Sequence, residues 1–221
     1  MIHERDSERR VVSARTPSPL GELSKPTRLV VKLLGRNRRL RGSAEDAGKP
    51  QGSSLHMAVT QTEFRSALGS FATGVTVITV DYEGEVHGMT ANAFSSVSLD
   101  PPLVLVCVDH RARTHAHLHA RKRFGVNVLA QDQQIISEYY ARPAQDHRQA
   151  EQEAGAHFDR TSHGTPVLNG ALAYLECRLH SAQDAGDHTI FIAEVEEVVV
   201  RPGDPLLYHR GEYRTIGGSG A

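Results

Sequence analysis

Cysteine is scarce in this chain, with only Cys107 and Cys177 and no CxxC pair, so no disulfide framework can be assembled from it. Both sit in apolar, strand-like runs and read as buried, reduced thiols, which points to the cytoplasm. No apolar run approaches the length of a membrane span, and residues 1–20 lack the apolar core of a signal peptide, so neither a membrane span nor export is expected. There is no GxGxxG fingerprint, no P-loop and no internal repeat. Regular strand–helix repeats are missing as well, which argues against a doubly wound nucleotide fold.

Net charge is also small, at −1 over 221 residues, but it conceals two unlike segments. Residues 1–56 hold 12 Lys and Arg against 6 Asp and Glu; residues 57–221 hold 13 against 20. The first segment is rich in Arg, Ser, Gly and Pro, and only Arg28 to Leu34 carries an apolar cluster. It reads as a disordered basic extension rather than a nucleic-acid or membrane contact. Ordered structure is expected over residues 57–216, and a flexible end over 217–221.

The richest stretch runs from Gly88 to Thr114, GMTANAFSSVSLDPPLVLVCVDHRART. Thr90, Asn92, Ser95, Ser96 and Ser98 alternate with small apolar residues. Asp100-Pro101-Pro102 then forces an extended turn. Leu103 to Val108 is a β-branched run of the kind that forms a buried strand. Arg111, Arg113 and Thr114 follow it. Hydroxyls and amides before a strand, with cations and a helix start after it, suit an anion or nucleotide. By composition alone, a polar turn between two strands fits equally well.

Around this stretch the elements fall in order. Thr60 and Glu63 fit a capping box, and Phe64, Ala67, Leu68 and Phe71 continue at helical spacing until Gly74. Val75 to Val80 and Val86 to Met89 read as strands about a turn at Gly84. A short helix over 114–122, a strand over 124–130 and a helix over 131–141 come next. Residues 143–165 read as a polar loop with Phe158 as an anchor. Strands are expected over 171–180, 190–200 and 205–208, with a polar break at 185–189. Six or seven strands with few helices predict a mainly β fold, a small closed barrel with helical covers.

His115, His117 and His119 have no acidic or thiol partner at ligand spacing, so they read as surface histidines and no metal is expected. Ser95, Ser96 and Ser98 lack the glycines of a hydrolase elbow. Gly186-Asp187-His188-Thr189 places an imidazole between two strong strands, either beside a ligand or in an ordinary hairpin turn.

Taken together, FATGVTVITV (71–80), HGMTANAFSSVSLDPPLVLVCV (87–108), FGVNVLAQDQ (124–133), GALAYLEC (170–177), GDHTIFIAEV (186–195) and PLLYHRGEYR (205–214) resemble the short-chain flavin reductase family. These are the reductase components of two-component flavin-dependent monooxygenases, and the likeness covers residues 60–215. It implies an FMN-binding split β-barrel of Greek-key antiparallel strands, working as a homodimer. It also implies reduction of FMN or FAD by NADH or NADPH, and delivery of the reduced flavin to a partner monooxygenase.

Carried over by position, Thr90, Ala91, Asn92 and Ala93 line the flavin ring edge, and Ser95, Ser96 and Val97 approach its ribityl chain or phosphate. Arg111, Ala112, Arg113 and Thr114 hold the phosphate or, with FAD, the pyrophosphate. His188, flanked by Gly186 and Asp187, meets the nicotinamide as an orienting donor, and His209, Arg210, Gly211 and Tyr213 cover the same ligand. At His209 the chain departs from relatives that carry an aromatic residue there. The rival readings are a non-catalytic flavin-binding barrel and a self-contained flavoprotein. The reductase reading requires the Thr90–Ser96 and Gly186–His188 segments to share one end of the barrel.

Overall fold

The structure, a computed structural model, describes residues 59–142 and 149–216. The basic extension expected over residues 1–56 and the tail at 217–221 lie outside the described residues. Helix α1 (Gln61–Gly69) starts with the capping box read above: Thr60 Oγ1 accepts from the Glu63 N–H at 3.2 Å, and Glu63 Oε2 accepts from the Thr60 N–H at 2.9 Å. It ends at Gly69 rather than Gly74. Strand β1 (Thr73–Gly74) is claimed by pairing with β11 (Leu207–His209), and the Arg210 N–H donates to the Gly69 carbonyl at 2.8 Å.

Strands β2 (Thr76–Tyr82) and β3 (Glu85–Ala91) form a hairpin, followed by β4 (Phe94–Leu99) and β5 (Pro102–Asp109). Helix α2 (Arg113–Arg121) leads to β6 (Arg123–Val128), and a 3₁₀ turn at Gln131–Gln133 leads to α3 (Gln134–Tyr140). The long hairpin β9 (Ala173–Ala185) and β10 (His188–Val200) comes next, and β12 (Glu212–Arg214) closes against β11.

Seven strands make one antiparallel sheet in the order β3-β2-β6-β9-β10-β5-β4. Its two edge strands, β3 and β4, are consecutive in the chain and separated only by Asn92 and Ala93. Extended chain advances about 3.5 Å per residue, so two residues cannot cross a flat sheet. The sheet must curl until its edges meet, and the β4–β5 ladder continues into that connection, where the Ala93 carbonyl accepts from the Cys107 N–H at 3.0 Å. This is a split β-barrel.

The barrel interior holds Ile78, Val80, Val104, Val106, Val108, Phe124, Val126 and Phe191, with Leu118 of α2 packed among them. A second cluster joins Val75 and Val77 to Ile136, Tyr139, Tyr140 and Leu168. Both faces of β2 are therefore covered, which explains why 75–80 reads as an unbroken apolar run rather than an alternating one.

Three segments depart from the sequence reading. Residues 149–165 are not all loop: they contain α4 (Ala150–Ala154) and β7 (Phe158–Arg160), the latter paired with β8 (Pro166–Leu168). These elements are too short to show a period. The serine-rich segment after Asn92 is strand β4, whose Ser95, Ser96 and Val97 are all exposed, so alternation is lost. The polar break at 185–189 shrinks to a two-residue turn, Gly186-Asp187, with Ala185 paired to His188. Glycine comes first in that turn at φ 68°, as a tight hairpin allows. Among the described residues, no helix is long and apolar enough to cross a membrane.

Candidate active site

The site forms around the C-terminal end of β5. On one side, β4 begins with Phe94 opposite Val106. On the other, β10 begins with His188 opposite Asp109, Thr189 opposite Val108 and Phe191 opposite Val106. The Asn92–Ala93 seam and the His188 hairpin are thus at the same end of the barrel, flanking one strand. Neighbouring strands are about 4.8 Å apart, so β4 and β10 run roughly 10 Å from each other across β5. The placement required of the two segments is met within a single chain.

The residues of the first segment are not equally available. Thr90 Oγ1 donates to the Ser137 carbonyl of α3 at 2.6 Å, and the buried Ala91 gives its carbonyl to Thr76 Oγ1 at 2.7 Å. Asn92 and Ala93 are half-buried, and among the described residues the Asn92 side-chain amide has no partner within the chain. Ser95 and Ser96 point their hydroxyls from an exposed strand edge, with Ser95 Oγ donating to the Ser96 carbonyl at 3.1 Å. Val97 is 47% exposed beside them.

Past Asp109, the chain turns through Arg111 and Ala112 into α2. Asp109 Oδ1 accepts from the Arg111 N–H at 2.8 Å and from Arg111 Nε at 3.0 Å, and Oδ2 accepts from Nη2 at 2.6 Å. The Arg111 guanidinium holds the Asp109 carboxyl down at about 2. Much of the hydrogen-bonding capacity of Arg111 is therefore spent inside the loop. Thr114 is buried. Arg113 is exposed, and the helix it opens has Ala112 at its N-cap with no side-chain cap. The first N–H groups of α2 and the Arg113 cation together make an anion-accepting end.

In the hairpin, the Asp187 carbonyl accepts from the His110 N–H at 3.1 Å, which ties Gly186-Asp187 to the same loop. Asp187 Oδ1 lies 2.7 Å from His188 Nδ1 and is held below the usual carboxylate range by that ring. The pair is unevenly exposed, at 17% for the His188 side chain and 79% for Asp187.

His209, Arg210, Gly211 and Tyr213 form the β11–β12 hairpin. Its ties run to the opposite flank: Tyr213 Oη and Ser137 Oγ are 2.8 Å apart, and Ser137 is the residue whose carbonyl holds Thr90. A cleft of about 380 Å³ beside this hairpin is lined by Gln131, Gln134, Leu206, Tyr213, Arg214 and Thr215. It meets the expected site only through Tyr213.

On α2, His115 and His119 share a face with ring centroids 4.8 Å apart, while His117 turns away to stack between Tyr82 at 4.2 Å and His87 at 4.3 Å. Among the described residues, no group of three His, Cys, Asp or Glu could hold a metal ion. Sequence reasoning takes His115 for a surface histidine, gives Thr189 no role of its own and does not single out His110 or Asp184; the four form one hydrogen-bonded cluster behind His188. The one available signal was the threonine of the GDHT segment.

The model of the flavin reductase like domain matches residues 68–217. The chain belongs to the flavin reductase family. This reductase is 39% identical over 169 residues to an NADH-dependent flavin reductase from a Rhodococcus species, covering 73% of this chain and 90% of that one. It is 36% identical over 164 residues to the reductase component of 4-nitrophenol 4-monooxygenase/4-nitrocatechol 2-monooxygenase of Rhodococcus opacus, covering 74% and 85%. Among solved structures, the NADH:FAD oxidoreductase SgcE6 of Streptomyces globisporus C-1027, in complex with NAD and FAD fragments, is similar at a TM-score of 0.66 and 34% identity, with 78% of this chain and all of that chain covered.

Proposed function

We propose that this reductase moves a hydride from NADH or NADPH to FMN or FAD at the end of the barrel shared by β4 and β10, and that the reduced flavin leaves for a partner monooxygenase. The observation that carries the reading is the common end of the Asn92–Ala93 seam and the His188 hairpin. When bound, the flavin supplies the acceptor ring and the nicotinamide supplies the hydride. The chain's own work is to hold the two flat groups in contact and keep them aligned.

In this reading the Asn92 amide and the Ala93 backbone meet the ring edge, and Ser95, Ser96 and Val97 border the ribityl chain. The uncapped start of α2 and Arg113 receive the phosphate. The Asp187 carboxylate accepts the Nδ1 proton of His188, fixing the ring's orientation and turning Nε2 toward the nicotinamide. Hydroxyls, one amide and an exposed cation hold a ligand loosely, which suits a flavin that diffuses away after reduction. Anaerobic oxidation of NADH and NADPH with FMN, FAD and riboflavin in turn tests the proposal. Turnover with free flavin is expected; flavin binding with no nicotinamide oxidation overturns it.

The working unit is a homodimer. On α1, Phe64 and Leu68 remain 57% and 55% exposed, Phe71 just past its end is 75% exposed, and no residue of that helix is buried. A second copy would cover such an apolar stripe. Light scattering behind a sizing column should give a dimer, and Leu68→Asp should shift it toward monomer; a variant that remains fully dimeric rules out this face. Two free cysteines fit a cytoplasmic location. Residues 1–56 lie ahead of the segment matched by the family, and their deletion should leave flavin reduction intact.

A further inference from the structure

Thr189 is 1% exposed, and its single hydroxyl serves three side chains. Oγ1 is 2.7 Å from Asp184 Oδ1, 2.9 Å from His115 Nε2 and 3.2 Å from His110 Nε2. The proton positions follow from chemistry. A carboxylate only accepts, and the Thr189 hydroxyl bond holds Asp184 below the usual range, so the hydroxyl proton points to Asp184. Its two lone pairs are then left for the rings, and both imidazoles must donate through Nε2–H. One donor and two acceptors use the full capacity of the hydroxyl.

The positions of the partners give this hub its meaning. His110 immediately precedes Arg111, and His115 immediately follows Thr114, so the two rings bracket the whole phosphate-facing segment. Asp184 lies on β9 and Thr189 on β10, next to His188. Beyond Asp109 this segment has left the sheet, and one backbone bond, from the His110 N–H to the Asp187 carbonyl, ties it to the hairpin. The hub adds a tie at each end of the segment. His115 is further packed edge-on against Phe191 at 5.5 Å, and burial holds its ring below the ordinary histidine range.

We infer that Thr189 is a positioning residue whose hydroxyl locks the His188 hairpin to the Arg111–Thr114 segment, so that the nicotinamide and the flavin phosphate are held in one fixed relative placement. The inference rests on the reading in which His188 meets the nicotinamide and the start of α2 meets the phosphate. It predicts a signature that a local role at either ligand would not produce: loss of the hydroxyl weakens both ligands, whereas loss of the His188 ring weakens one.

The test compares Thr189→Val, Thr189→Ser and His188→Ala with the unaltered chain. Flavin dissociation constants are measured by fluorescence with FMN and FAD, kcat and KM by NADH oxidation, and folding by thermal melting. Thr189→Val is expected to weaken flavin binding and to lower kcat/KM for NADH, each by about tenfold, the size of one lost positioning hydrogen bond. Thr189→Ser keeps the hydroxyl and should restore both to within about twofold. His188→Ala should spare flavin binding. A Thr189→Val chain that melts lower yet binds and turns over normally reduces the hub to a packing contact and overturns the inference. A His188→Ala chain with unchanged NADH kinetics removes the site reading instead, and the inference with it. If Thr189→Val does not fold, His115→Phe, which keeps a ring and drops the donor, should weaken flavin binding several-fold; unchanged flavin affinity there is equally decisive against the hub.

Discussion

Arg111 clamps Asp109 through its own N–H and through guanidinium Nε and Nη2, at 2.8, 3.0 and 2.6 Å. Asp109 is also the residue paired with His188 across the β5–β10 ladder. The clamp therefore shapes the turn into α2 at the point where the His188 hairpin begins.

This geometry sets an acid limit. The Asp109 carboxyl is lowered from an ordinary 3.8 to about 2, chiefly by its hydrogen bond from Arg111. A depressed carboxyl contributes stability that is present above 3.8 and is lost as pH falls through about 2. Melting temperature should drop for the unaltered chain across that window, and Asp109→Asn should flatten the drop. Parallel acid curves for the two chains count against the clamp.

Asp187 makes a second case. Asp187→Asn keeps the size of the side chain but removes the charge that holds His188 Nδ1–H. Under the proposed site, kcat/KM for NADH should fall by about threefold to tenfold while flavin affinity stays within about twofold. Steady-state kinetics beside fluorescence titration separate the two effects, and an equal loss in both places Asp187 outside the role given to it.

Gly125 is a packing prediction. A Cβ there would lie 2.6 Å from Thr79 Oγ1, 2.7 Å from Tyr174 Cε2 and 2.9 Å from the Pro166 carbonyl. Backbone and a buried ring cannot withdraw easily, so Gly125→Ala should cost about 2 kcal/mol or more. Urea unfolding measures it, and a midpoint unchanged from the native chain contradicts the close approach.

Asn127 carries a buried polar junction. Its Nδ2 donates to the Val77 carbonyl at 2.9 Å and to Thr79 Oγ1 at 3.1 Å, and its Oδ1 accepts from the Leu168 N–H at 2.8 Å. Asn127→Ala takes the acceptor from the buried Leu168 N–H and a donor from the Val77 carbonyl, while the Thr79 hydroxyl keeps its bond to the Pro166 carbonyl, at a cost of about 3 kcal/mol. The loss should show as a lower urea midpoint with an unchanged slope. A neutral substitution would mean that β8 is anchored elsewhere.

Much of the fold is legible because its signals are local. The capping box at Thr60 and Glu63 needs only four consecutive residues, and the β-branched run before Asp109 declares a buried strand without reference to anything distant. The serine-rich β4 was harder, since exposure of Ser95, Ser96 and Val97 erases the alternation that marks a strand. The outer part of β9 is polar for the same reason, and its pairing with β10 depends on the apolar partner rather than on its own composition.

At the site, the amino-acid order alone established which chemistry is present: an amide and hydroxyls ahead of β5, cations after it, and an imidazole in a turn between two strands. Tertiary structure decided which of these groups remain available. Thr90 is drawn to Ser137, 47 residues away, and Thr189 to His115, 74 residues away. Arg111 is spent on its neighbour Asp109, while Asn92 and Arg113 stay accessible. Local propensity reaches only a few residues along the chain, whereas docking of α3 and α2 against the sheet brings distant donors and acceptors within 3 Å. The strand order β10-β5-β4 is what sets the Asn92 seam and the His188 turn on either side of one strand.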